Sequence, residues 1–134
     1  MRKIKFRCWN KRKNKMQKCM DITWLNDPEL LRINIGKNEI KCLEDEFVLM
    51  QFVGIKDNNG RDIYEGDICK RSYGRVRVIE YYKGCFGWWL WNTKKKNHKE
   101  NEFVLLFGGN RFAREPEKFE VLGNIYENTE LLKK

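Results

Sequence analysis

Phe47-Val48-Leu49-Met50-Gln51-Phe52-Val53-Gly54-Ile55-Lys56-Asp57-Asn58-Asn59-Gly60-Arg61-Asp62-Ile63-Tyr64-Glu65-Gly66-Asp67-Ile68 is the stretch on which the fold turns. From 47 to 53, apolar residues occupy both strand parities, the pattern of a strand buried on both faces. Asn59-Gly60 then supplies the strongest short hairpin signal, because both residue types tolerate positive φ. Ile63-Tyr64 reads as a short strand closed by Glu65-Gly66-Asp67. Beyond it, 68–73, 75–82 and 85–91 read as three more strands, separated by Gly74 and by Lys83-Gly84. Short strands punctuated at regular intervals by glycine predict a small barrel or sandwich.

Working outward, Lys3-Ile4-Lys5-Phe6-Arg7-Cys8-Trp9 alternates apolar Ile4, Phe6 and Cys8 with basic residues, as a half-buried strand does. A polar turn over 10–15 and a return strand over 16–20 complete an N-terminal hairpin. The signal is poor from 21 to 38. There Asn26-Asp27-Pro28-Glu29 predicts a helical turn, since Asp caps and Pro suits the first helical position. Ile33 and Ile35 suggest a short strand before Gly36-Lys37-Asn38. Toward the C-terminus, 92–101 reads as an exposed basic loop, 102–107 as a strand, Gly108-Gly109-Asn110 as a turn and 119–125 as the last strand. Residues from 126 on form a short helix or a loose tail. The chain of 134 residues suits one domain with a real core. The expected fold is mainly β (β-dominated α+β): a single domain over 1–134, with the N-terminal hairpin, a barrel-like core over about 47–91 and a short C-terminal segment.

Aromatic residues make up 13% and charged residues 35% of the chain, which fits a folded, well-solvated protein and argues against disorder. Its longest apolar runs, 47–52 and 103–107, are far below the roughly 20 residues of a spanning helix. Met1-Arg2-Lys3-Ile4-Lys5 has no apolar segment of a secretory signal after its charges, so a cytoplasmic chain with no membrane association is expected. The five cysteines Cys8, Cys19, Cys42, Cys69 and Cys85 are odd in number and never spaced Cys-x-x-Cys. That argues for reduced, mostly buried thiols and against a disulfide framework or zinc site. Lys and Arg number 28 against 19 Asp and Glu, a net charge of +9. Such an excess favours polyanionic partners, or simply keeps a Lys- and Asn-rich chain soluble.

Catalytic machinery is hard to find. The lone His98 stands in the basic loop Lys96-Asn97-His98-Lys99, and a Cys85–His98 nucleophile pair lacks a third member to orient the ring. Glu44-Asp45-Glu46 leads into a strand. Glu65 and Asp67 flank Gly66, where acids more often satisfy turn backbone groups than hold a metal or move protons. Asp57-Asn58-Asn59-Gly60 fails as a calcium loop, because its fifth position is Arg61 and the glycine falls too early. With no Gly-rich phosphate loop and no serine elbow, the expectation is no enzyme, no catalytic residue, no cofactor and no metal. Anion binding has more substance. Alternation over 75–82 puts Arg75, Arg77 and Tyr81 on one face, and Trp88, Trp89, Trp91, Lys94, Lys95 and Lys96 follow in the chain. Basic side chains beside exposed aromatics suit single strands or nucleotides. The candidate anion contacts are therefore Arg75, Arg77, Lys94, Lys95 and Lys96, with Tyr81, Trp89 and Trp91 as aromatic contacts. Val76, Val78, Trp88 and Leu90 serve equally well as core.

Four blocks carry a resemblance. They are Lys5-Phe6-Arg7-Cys8-Trp9 with Met16; 49–60 running into Ile63-Tyr64-Glu65-Gly66-Asp67-Ile68; Gly84-Cys85-Phe86-Gly87-Trp88-Trp89; and Val121-Leu122-Gly123-Asn124-Ile125-Tyr126-Glu127-Asn128 followed by Glu130-Leu131-Leu132. Together, and in this order, the chain resembles the YopX family of phage and prophage proteins. Members tend to carry alanine at the position of Cys8, aspartate at Asn10 and proline at Thr129, departures that touch only local detail. The resemblance implies a phage or prophage origin, a host cytoplasmic location and a mostly β fold with a barrel-like portion. It brings no established activity and no catalytic residues. The expected function is non-catalytic, stoichiometric binding of an anionic ligand, nucleic acid or nucleotide, directed against host defence or regulation. The alternative is a protein–protein antagonist of a host or phage protein, or a homo-oligomeric assembly module, with tryptophans as anchors.

Overall fold

The structure, a computed structural model, describes residues 3–19, 21–24, 30–34, 39–43, 46–71, 75–90, 102–106 and 119–132. These residues form strands and turns, with a single-turn 3₁₀ segment at Thr129–Leu132, so the fold is β-dominated as the sequence predicts. The chain divides into two compact units, Met1–Phe52 and Val53–Lys134.

In the first unit, β1 (Phe6–Asn10) pairs antiparallel with β2 (Lys15–Cys19), Phe6 facing Cys19 and Asn10 facing Lys15. On its other edge β1 pairs with the start of β6 (Phe47–Lys56), Phe6 facing Gln51 and Asn10 facing Phe47. The N-terminal hairpin is thus present. Its alternation buries Cys8 completely, whereas Ile4 precedes the strand and is 60% exposed. Asn10 closes the turn: its Oδ1 accepts the N–H groups of Arg12 (3.1 Å) and Lys13 (3.2 Å), and its Nδ2 donates to Gln17. Asn14 takes φ +49°, a region asparagine enters more readily than most residues. A separate meander, β3 (Asp21–Trp24), β4 (Leu30–Asn34) and β5 (Glu39–Leu43), fills the stretch where the sequence signal is poor. The predicted helical turn at Asn26-Asp27-Pro28-Glu29 lies outside the described residues. Along 47–53 burial is less complete than expected. Phe47, Met50, Phe52 and Val53 are buried, but Val48, Leu49 and Gln51 only half so.

In the second unit the end of β6 pairs with β7 (Asp62–Tyr64). One three-stranded sheet runs in the order β13 (Glu120–Asn124), β8 (Asp67–Lys70), β9 (Val76–Val78). Another runs β10 (Glu80–Tyr82), β11 (Cys85–Leu90), β12 (Glu102–Leu105). They curl about one core in which Val53, Ile63, Cys69, Ile79, Trp88 and Phe119 pack together. The single strand expected over 75–82 is broken into two that belong to different sheets. Ile79 is the corner: it is fully buried, its N–H donates to the Asp67 carbonyl (2.9 Å) and its carbonyl accepts from Gly66 (2.8 Å). The chain can change sheets there because the core holds the side chain while β8 still pairs the backbone.

The two glycine turns differ in kind. Lys83 and Gly84 both have positive φ, +48° and +82°, the requirement of a two-residue hairpin turn whose twist matches its strands. At 57–61 only Gly60 is positive (+81°). There the Gly60 N–H donates to the Asp57 carbonyl (3.1 Å) and the Asp57 N–H to the Arg61 carbonyl (2.7 Å). The Asp57 side chain makes the difference, since it accepts from Asn59 and Arg61 and holds Asn59 at negative φ. Space around Gly60 is open, so a substitution there meets only backbone strain. Gly60→Val should lower stability by about 1–2 kcal/mol in urea melts. A neutral result would show that the left-handed conformation is not required.

Candidate anion-binding site

The β8–β9 hairpin sets the site by its register. Asp67 is opposite Ile79, Cys69 opposite Arg77, and Arg71 opposite Arg75 through its N–H to the Arg75 carbonyl (2.9 Å). Residues directly opposite in an antiparallel pair share a face, and so do residues two apart along a strand. Arg71, Arg75 and Arg77 therefore stand on one face of this hairpin, the face that carries the core residues Cys69 and Ile79. Exposure rises along it: Cys69 and Ile79 are fully buried, Arg77 and Arg71 half-buried, and Arg75 exposed. The arginines rim the end of the core face.

Two details fix the guanidinium groups. Arg71 lies over the Trp88 ring (5.3 Å to the centroid) and near the Phe119 ring (5.8 Å), and those two rings meet edge to face at 5.5 Å. Such cation–π contact holds a flexible side chain in place. Arg77 donates one Nη to the Val76 carbonyl (3.2 Å), while its buried Nε has no hydrogen-bond partner. Burial, then the charges of Arg75 and Arg71, pull the Arg77 guanidinium below its ordinary value. Arginine stays protonated nonetheless, so the shift reports crowded positive charge. Among the described residues no carboxylate forms an ion pair with Arg75 or Arg77.

Of the sequence candidates, Arg75 and Arg77 are brought together. Arg71 is the member the sequence does not single out; the signal for it is its place across the hairpin from Arg75. Tyr81 is not joined to them by a sheet. It lies in β10, is 55% exposed and packs on Phe86 (5.2 Å). Trp89 is buried, its ring against Tyr82 (4.8 Å) and Phe103 (5.1 Å), so it offers no open stacking face. Trp91, Lys94, Lys95, Lys96 and His98 lie outside the described residues.

Of the acidic candidates, Asp67 serves the backbone, while Glu46 pairs with Arg12 (2.6 Å). Asp67 Oδ2 accepts the Tyr64 N–H (2.8 Å) and is almost fully buried, with Gly66 at φ +82° beside it. Among the described residues no three His, Cys, Asp or Glu side chains are placed to hold a metal ion. Among the described residues, Cys8, Cys19, Cys69 and Cys85 are in no disulfide. A hydrogen bond with Cys19 draws the Cys8 thiol down, against burial, which pushes it up. No helix among the described residues is long and apolar enough to cross a membrane.

A small β-dominated fold, its core face edged by arginines, is the class of protein these features define. The chain belongs to the YopX family, described as YopX protein, which it matches over residues 5–133. It is also similar to the crystal structure of protein EF1440 from Enterococcus faecalis, with 27% sequence identity and a TM-score of 0.58. That similarity covers 99% of this chain and 100% of the other. No curated protein matches the chain.

Proposed function

We propose that this chain is a non-catalytic phage or prophage accessory protein of the host cytoplasm. It binds an anionic ligand, nucleic acid or nucleotide, stoichiometrically at Arg71, Arg75 and Arg77, and so counters host defence or regulation. The observation that carries this reading is the arginine face itself. Three guanidinium groups share one side of a hairpin, and neither Arg75 nor Arg77 has a carboxylate partner among the described residues. Protein surfaces normally intersperse charges of both signs, and a concentrated single-sign field attracts its counter-ion. Strand arginines make fixed, bidentate contacts with phosphate, whereas Lys94, Lys95 and Lys96 would act mainly by steering.

The test is a binding titration with labelled oligonucleotide and with nucleotides at rising salt. Affinity should fall steeply with salt. Arg75→Ala with Arg77→Ala should weaken it about tenfold or more, which is more than neutralising the three lysines does. Salt-insensitive binding, or full retention in the double arginine variant, would overturn this site. A second reading, a protein antagonist or homo-oligomer, draws on the exposed Tyr81 and Tyr82 beside the Lys83-Gly84 turn. Salt-insensitive association that depends on those tyrosines would favour it.

A further inference from the structure

Resting on the anion-binding reading, we infer that the arginine face takes a compact, multiply charged phosphate group, the diphosphate or triphosphate of a small molecule, in preference to a phosphodiester backbone. The geometry supplies the argument. Arg71 and Arg75 are a directly opposed cross-strand pair, so their Cβ atoms stand about 5 Å apart. Arg77 is the next residue on the same face, one strand repeat or about 7 Å further along. Three long side chains rooted this closely are within reach of one small volume. A phosphodiester brings a single negative charge to that volume, and its neighbours along a strand are carried away from it. A terminal phosphate brings about −1.5 to −2, and a diphosphate more. Only a concentrated anion of that kind matches three concentrated cations.

The surroundings add to this. Arg71 is already set against Trp88 and Phe119, so binding costs little of its side-chain freedom. The Arg77 Nε is buried and without an acceptor among the described residues, and phosphate oxygens match the geometry of a guanidinium fork. The core side of the patch is apolar, with Cys69 and Ile79 fully buried. Charge–charge attraction is therefore stronger there than on an open surface. An extended polymer could not reach this half-buried guanidinium as readily as a terminal group can.

Calorimetric titration of the full chain with pyrophosphate, adenosine triphosphate, inorganic phosphate and a short thymidine oligonucleotide tests the inference. Pyrophosphate and the triphosphate should bind at one site per chain, about tenfold or more tighter than the oligonucleotide or phosphate. Arg77→Lys keeps the charge but loses the fork and should weaken pyrophosphate about tenfold. Thermal melts of that variant establish that it is folded, and the more exposed Arg75→Ala provides a second variant with the same expected direction. Oligonucleotide binding that pyrophosphate does not displace would overturn this inference and leave the nucleic-acid form of the proposed function in place. Absence of binding by every probe would overturn both. Pyrophosphate binding unchanged in the Arg77 and Arg75 variants would show that phosphate is held elsewhere.

Discussion

Gly87→Ala is expected to lower stability by about 3 kcal/mol or more, with a drop in Tm on the order of 10 °C. Gly87 sits in β11, the central strand of its sheet, facing Glu80 on one side and Leu105 on the other. A Cβ at this position would fall onto the backbone carbonyl oxygen of Val104 and within 2.9 Å of the Phe103 ring. The obstacle is the backbone of a paired strand, which cannot swing aside as a side chain can. Relief requires β11 and β12 to separate, and Trp88 on one and Val104 on the other are both in the core. Gly54→Ala is the matched control. Gly54 has φ +104° with open space around it, so it should show only about 1 kcal/mol of backbone strain. Urea melts of the two variants separate the effects. A Gly87→Ala protein within about 0.5 kcal/mol of wild type would mean that the strands are not packed this closely.

Much of this architecture is legible in the sequence, and the exceptions have physical causes. The first hairpin is visible because Phe6 and Cys8 alternate with Lys5 and Arg7, and because one face is buried that alternation fixes the register. The Lys83-Gly84 turn is visible because glycine marks positive φ. The meander β3-β4-β5 is mostly hidden; only β4 is hinted at, by Ile33. Its strands are short and its polar connections carry no glycine-rich hairpin signal until Gly36. The break at Ile79 is nearly hidden, because no glycine or proline marks it; its one trace is that the alternation slips there, with Val78 and Ile79 both apolar. What divides it is tertiary: Asp67 and Gly66 hold the backbone of Ile79 in one sheet while the next residues pair with β11. Arg75 and Arg77 are visible as one face by parity alone. Arg71 is not, since its membership depends on the pairing across the hairpin. Trp89 is covered for a reason the sequence does not show. Periodicity tells that Trp88 and Trp89 face opposite ways, but not that both faces of that strand are covered.

Asp57→Ala should cost about 3 kcal/mol. This side chain accepts three backbone N–H groups: Oδ1 from Asn59 (2.9 Å) and Arg61 (2.8 Å), Oδ2 from Val121 (2.9 Å). The first two shape the turn, and the third ties the turn to β13, which the Asn58 N–H also does through the Phe119 carbonyl (3.0 Å). Asp57 is only 5% exposed, so alanine would leave donors without acceptors where water has little access, about 1–3 kcal/mol for each one left unmet. Asp57→Asn keeps one acceptor but turns an amide N–H₂ toward a backbone donor, and should cost somewhat less. The same contacts make stability depend on pH. Burial pushes the Asp57 carboxyl up, but the N–H groups of Val121, Arg61 and Asn59 and the charge of Arg61 outweigh it, and the group ends below its ordinary value. A carboxyl whose folded pKa lies below its unfolded one stabilises the fold above the unfolded value, near 3.9, and loses that contribution as pH falls from there through the folded value. Wild type should therefore lose its advantage over Asp57→Asn below about pH 4. Denaturant midpoints of both proteins, measured from neutral pH down to about pH 3, are the check. A constant gap between them across that range would show that the carboxylate's charge is not what binds the turn to β13.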